Sequence, residues 1–157
     1  MTYRQPLPIM TENLLCATVS VRGVIHNADG QILVVQRSAD KVWELPGGRL
    51  SRGESPQQGL HREIREETGL DIDIADIVKA NSWVNTADKG RFAVHYDCEP
   101  VDVGVELSAE HVASEWVRPA KAQQRLCDPQ STAVDIAATA TDIVTNGASN
   151  STPTKRE

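Results

Sequence analysis

The sequence is short of cysteine, of positive charge and of long apolar runs, and each shortage removes a class of protein. Cys16, Cys98 and Cys127 are odd in number, far apart and without a CxxC pair. Neither a disulfide framework nor a zinc ribbon is expected, and a reducing cytoplasm fits best. Sixteen Lys and Arg stand against 22 Asp and Glu, a net charge of −6, which argues against a protein that grips long nucleic acid through a basic face. No stretch approaches the length of a membrane span, and the first thirteen residues lack the apolar core of a signal peptide. No internal repeat is visible. What is there, 157 residues of which 39% are hydrophobic, is enough for one domain that buries a core unaided. Both ends are proline-bearing or polar. The expected organisation is a flexible arm over 1–13, a folded domain over 14–146 and a flexible tail over 147–157.

Within the domain, Leu15, Ala17, Val19 and Val21 alternate with polar neighbours, Asn27 to Gly30 supplies turn chemistry, and Ile32 to Val35 is apolar. This predicts a β-hairpin. Val42 to Leu45 is a further short strand, stopped at Pro46, with a loop expected over Gly47 and Gly48. From Ser55 the period becomes helical: Ser55 is the N-cap, Pro56 the first helical residue, Leu60 and Ile64 share a face, and Gly69 closes the helix. Ile72 to Val84 and Arg91 to Cys98 flank the turn residues Ala87 to Gly90 and predict a second hairpin. Glu115 to Val117 reads as one more strand. Ala133, Ile136, Ala137, Ala140, Ile143 and Val144 recur at helical spacing between Ser131 and Gly147. The order β-β-β-α-β-β-β-α predicts an α/β (α+β) sheet with two main helices packed over it.

The informative segment runs from Gly47 to Leu70. On a helix Glu63, Glu66 and Glu67 lie at i, i+3 and i+4, so three carboxylates share one face. Such a face is ordinarily just solvated. Turned toward a cleft, each pair would repel by up to about 4 kcal/mol at intermediate dielectric, a cost that divalent cations remove. Oxygen-only ligation selects hard ions such as Mg²⁺ or Mn²⁺, and these commonly partner substrate phosphates. The flanking glycines weigh for this second reading. Gly48, Glu54, Arg62, Glu63, Ile64, Glu66, Glu67, Gly69 and Leu70 match the Nudix box, and the segment Trp43 to Gly48 before it also resembles that family.

The resemblance implies an α-β-α sandwich with a mixed central sheet. It also implies metal-dependent hydrolysis of a nucleoside diphosphate linked to another group. By the same resemblance, Glu66 and Glu67 hold the metal, Glu63 is a ligand or general base, and the carbonyl of Gly47 completes the shell. Arg62 and Glu54 are expected as a buried structural pair holding the glycine loop, and Gly53 permits that loop's turn. Homodimers are frequent among such proteins. Two residues depart from the commonest box: Ser51 stands where Glu is frequent, and Gly59 where Ala is usual, the latter at about 1 kcal/mol of helix propensity.

Outside the box, Glu110 is the first choice for an additional catalytic acid, ahead of Glu106 and Glu115, against an ordinary surface role. Arg37 is placed to donate to a phosphate, against a surface ion pair. Trp83 is placed to stack on a base, against a core role. His26, His61, His95 and His111 show no metal spacing and receive no role. Asn85, Thr86 and Ala87 include no proline of the ADP-ribose type, and Thr86 to Asp88 no tyrosine of the diadenosine polyphosphate type. Arg37-Ser38-Ala39 carries only the start of a coenzyme A signature. A small nucleoside triphosphate is therefore the first-choice substrate, MutT-like in the broad sense. ADP-ribose or a nucleotide sugar, a non-catalytic nucleotide sensor and RNA cap removal are the alternatives.

Overall fold

β1 (Ala17–Ile25) has both edges taken. It pairs antiparallel with β4 (Gly47–Arg49) and parallel with β6 (Gly90–Pro100), and β6 pairs antiparallel with β5 (Ile72–Val84). The computed structural model describes residues 13–147, so the arms expected over 1–13 and 147–157 lie outside the described residues except for Asn13 and Gly147. A second sheet is built from β3 (Trp43–Glu44), β2 (Ile32–Arg37) and β7 (His111–Val117). α1 (Pro56–Thr68) lies on one side, α2 (Pro119–Arg125) and α3 (Gln130–Gly147) on the other.

The first expected hairpin is corrected. The turn forms, with Asn27 Oδ1 accepting from the N–H groups of Asp29 and Gln31, but β1 and β2 share a single bridge, His26 to Ile32. A strand has two edges; β6 runs along the whole of one edge of β1 and β4 takes Ser20 to Arg22 on the other, and β2 pairs instead in the second sheet. The expected central sheet is thus divided into a four-stranded mixed sheet and a three-stranded antiparallel one. The expected glycine loop is corrected too, since Gly47 to Arg49 is a strand. Gly47 has φ of +139°, and a side chain there would run into the carbonyl of Val21. The second hairpin forms as predicted.

The second half of β1 and most of β2 are buried on both faces, and their alternation sorts the core. Val21 and Ile25 pack with Leu60 and Ile64 of α1, whereas Val24, Ile32 and Val34 pack with Ala122, Ala133, Val134 and Ala137 of α2 and α3. α1 begins as the sequence predicts: Ser55 Oγ accepts from Gln58 N–H, the Gln58 side chain accepts from Ser55 N–H, and Gly69 closes the helix at φ +71°. On α3 the buried stripe is Ala133, Val134 and Ala137, while Ile136, Ile143 and Val144 are exposed. Gly59 faces Leu50, and a methyl group there would overlap the Leu50 side chain.

The four-stranded sheet has two unlike faces, and this positions the site. Phe92, Val94, Tyr96 and Cys98 point to the α1 side. Alternate residues must then point the other way, and there Arg91, Ala93 and His95 stand in register with Ser20 and Arg22 of β1 and with Lys79, Asn81 and Trp83 of β5. That part of the face is polar and forms the floor of a cleft, whereas Val24 and Val78 farther along it pack with α3.

Candidate active site

The cleft has a volume of about 740 Å³ and receives side chains from both sheets, from α1 and from the start of α3. Glu63, Glu66 and Glu67 line it from α1, together with Gly47 and Gly48. Arg37, Trp83 and Glu110, chosen from separate stretches of sequence, line it as well. Gln130 ties the first turn of α3 to the wall by accepting from Leu45 N–H at 2.6 Å.

The three α1 carboxylates are not equivalent. The Glu66 side chain is 60% exposed and lies 3.2 Å from Arg62 Nη1, which also lies 3.0 Å from Glu63 Oε1. Glu67 is buried and accepts from Gly47 N–H at 2.9 Å. Burial pushes its carboxyl up to about 8, an effect that the Gly47 N–H and Arg22 offset only in part and to which Glu44 and Glu63 add a smaller repulsion. Such a group holds a proton at neutral pH until a cation displaces it. The donor set therefore fits a divalent ion.

Arg62 binds Glu54 through two bonds of 2.6 and 3.0 Å and also donates to the carbonyl of Arg49. The expected buried pair is thus corrected to a half-buried one, with 32% and 15% of the two side chains exposed. The Arg62 bonds hold Glu54 down at about 2. Its contribution to stability is present above the unfolded value of 4.5 and is lost as pH falls through the folded value of about 2. We expect Arg62→Ala to lower the melting temperature together with activity and to flatten that acid limb. An unshifted midpoint across pH 2 to 6 in thermal unfolding would refute the role. The turn before it contains Gly53 at φ +83°.

Gly48 is required for closeness, since a methyl group there would overlap the carboxylate of Glu63. Gly48→Ala is expected to displace Glu63 and lower turnover about ten- to a hundredfold without unfolding. Circular dichroism and steady-state rates on the same preparation check both halves.

Sequence reasoning missed a second, buried layer. Glu44 is 5% exposed. Its Oε1 lies 3.1 Å from His111 Nε2, and its Oε2 lies 3.0 Å from Arg22 Nη2 and 3.5 Å from Arg37 Nη1. Arg22 also donates to the carbonyl of Leu45. Arg37 is bound bidentately by Asp40, at 2.6 and 3.0 Å, so its guanidinium is shared between the cleft rim and a surface partner. Glu44, Glu67 and His111 offer ligand atoms within 4.8 Å of one another, although both Glu44 oxygens already have partners. His95 is fully buried on the floor, and burial beside Arg22 holds it down at about 4, hence neutral. The available signal was Arg22, a charge inside an apolar strand, because such a group demands a partner.

Glu110 ends the turn before β7, and its backbone is less free than a loop position suggests. Its carbonyl accepts from Ser38 N–H at 2.8 Å, and the carbonyl of Ala109 accepts from Ser38 Oγ at 2.8 Å. Among the described residues no helix is long and apolar enough to cross a membrane.

Known proteins resemble this chain. The NUDIX domain model matches residues 17–135. A MutT-like protein of Streptomyces ambofaciens is 33% identical over 111 residues, which cover 71% of this chain and 70% of that protein. An RNA pyrophosphohydrolase of Proteus mirabilis is 35% identical over 82 residues, 52% of this chain and 46% of that protein, so the chain spans about half the length of that relative. The crystal structure of a MutT protein from Methanosarcina mazei Go1 matches with a TM-score of 0.71 at 28% identity, covering 81% of this chain and 96% of that one.

Proposed function

The chain belongs to the Nudix family of hydrolases, and from that premise we propose that it cleaves the pyrophosphate linkage of a small nucleoside triphosphate, releasing nucleoside monophosphate and pyrophosphate. One observation supports this most: the graded carboxylates of α1 share a cleft with Arg37, Trp83 and Glu110. Glu63, Glu66 and Glu67, with the carbonyl of Gly47, would hold Mg²⁺ or Mn²⁺. When bound, the ion neutralises phosphate charge and lowers the pKa of water. Glu110 accepts the proton as water oxygen bonds to phosphorus and the bridging P–O bond breaks. Arg37 donates to the phosphate oxygens, and Trp83 offers its ring to the base.

The test is a hydrolysis screen with Mg²⁺ or Mn²⁺ over nucleoside triphosphates, ADP-ribose, nucleotide sugars, dinucleoside polyphosphates and 5′-triphosphorylated RNA. Heavy-oxygen water identifies the phosphorus attacked. The reading expects triphosphates to be turned over fastest. Faster turnover of ADP-ribose or of RNA ends would replace it.

A further inference from the structure

We propose that Glu44 is the positioning residue of this site: its one buried carboxylate aims Arg22 at the substrate's phosphates and, through His111, fixes Glu110. The inference rests on the proposed hydrolysis and adds to it residues that the box does not contain.

Arg22 is anchored at one end of its guanidinium fork. Nη2 lies 3.0 Å from Glu44, and Nη1 donates to Leu45. A guanidinium carries five N–H donors in a rigid plane, so this anchoring sets the direction of those that remain. The side chain is 18% exposed and lines the cleft beside Gly47 and Glu67. Donors fixed beside the carboxylates that would hold the ion suit a second oxygen of the same phosphate group. Arg37 is a poorer candidate for this inner position. It is 41% exposed, and Asp40 holds it bidentately.

The other oxygen of Glu44 serves a different element. His111 Nε2 reaches it at 3.1 Å across buried surroundings, and His111 is the first residue of β7, directly after Glu110. Glu110 is therefore held on both sides, by Ser38 through its own carbonyl and by Glu44 through the next side chain. One carboxylate thus joins a phosphate donor on β1 to the turn that carries the candidate base. Loss of Glu44 should disturb substrate binding and proton transfer together. Loss of His111 should disturb only the second.

The experiment is a steady-state comparison of wild type with Arg22→Lys, Glu44→Gln, His111→Phe, His111→Gln and Glu44→Gln/His111→Phe. Melting temperature and Mg²⁺ requirement are measured for each. Arg22→Lys should raise KM about tenfold with kcat little changed. His111→Phe should lower kcat about tenfold with KM little changed, and His111→Gln, which keeps an N–H, should recover most of that loss. Glu44→Gln should do both. The double variant should have no lower kcat than Glu44→Gln alone, because the two residues act through one bond. Additive losses, losses confined to melting temperature, or a shifted Mg²⁺ requirement at Glu44 would overturn the assignment. If the wild type hydrolyses no phosphoanhydride, the hydrolase reading fails on its own. Calorimetry with α,β-methylene nucleoside diphosphates then decides this proposal: weaker binding in Arg22→Lys and Glu44→Gln but not in His111→Phe supports it, and equal binding overturns it.

Discussion

Glu67→Gln is expected to lower turnover by more than about a hundredfold while leaving the fold intact. Removing an outer partner of a metal ligand typically costs about 10- to 100-fold, and removing the ligand itself costs more. Glu67 is the deepest of the three α1 carboxylates and the one bonded to the glycine strand at Gly47. Glutamine keeps the size of the side chain and its acceptor for Gly47 N–H, so the strand should stay in place. What disappears is the negative charge. Wild-type rates with an unchanged Mg²⁺ requirement would remove Glu67 from the reaction.

The same substitution carries a pH signature. Burial raises the folded Glu67 carboxyl to about 8, against 4.5 when unfolded. The folded chain therefore holds this proton more tightly than the unfolded one. Its contribution to stability is complete below about 4.5 and is lost as pH rises through about 8, provided no metal is bound. A divalent cation replaces the proton, so stabilisation by Mg²⁺ should grow across that window. Melting curves from pH 5 to 9, with chelator and with Mg²⁺, should diverge as pH rises in the wild type. In Glu67→Gln the divergence should shrink. Equal divergence in both chains would assign the titration elsewhere.

The parts of this site that a sequence displays are those set by neighbours along the chain. Ser55, Pro56 and Gly69 announce the ends of α1 because caps act locally. The spacing of Glu63, Glu66 and Glu67 places them together because a helix has a fixed period. Alternation from Arg91 to Cys98 separates a polar face from an apolar one, although it does not say that the polar face floors a cleft. Strand pairing is a choice among distant partners, and there the local reading stops. The turn at Asn27 to Gly30 predicts a hairpin, yet β1 pairs with β4 and β6, and β2 pairs with β3 and β7. Glu44 and His111 are 67 residues apart, and neither stands in a pattern that points to the other. Arg37 and Glu110 stand out in the sequence as candidates and both line the cleft, whereas their anchors, Asp40, Ser38 and Glu44, follow only from the fold.

Glu110→Gln is expected to lower kcat by about 10² to 10⁴-fold, the usual contribution of a positioned general base, with no change in the Mg²⁺ concentration required. Glu63 is the competing residue, and the two are held differently in the cleft. Glu63 sits on a rigid helix, pressed over Gly48 and held 3.0 Å from Arg62, among the carboxylates suited to an ion. Glu110 projects into the same cleft from the turn before β7, with its backbone pinned to Ser38 and its side chain exposed. A carboxylate that already shares Arg62 and would also ligate the proposed ion is badly placed to accept a proton, because its oxygens are committed. An exposed one is free to take the proton and pass it to solvent. Glu63→Gln should therefore lower the rate and raise the Mg²⁺ requirement together, whereas Glu110→Gln should lower the rate alone. Titrating Mg²⁺ against kcat in both variants distinguishes them. If Glu110→Gln turns over normally, Glu110 is a rim residue and the base must be sought at Glu63 or elsewhere.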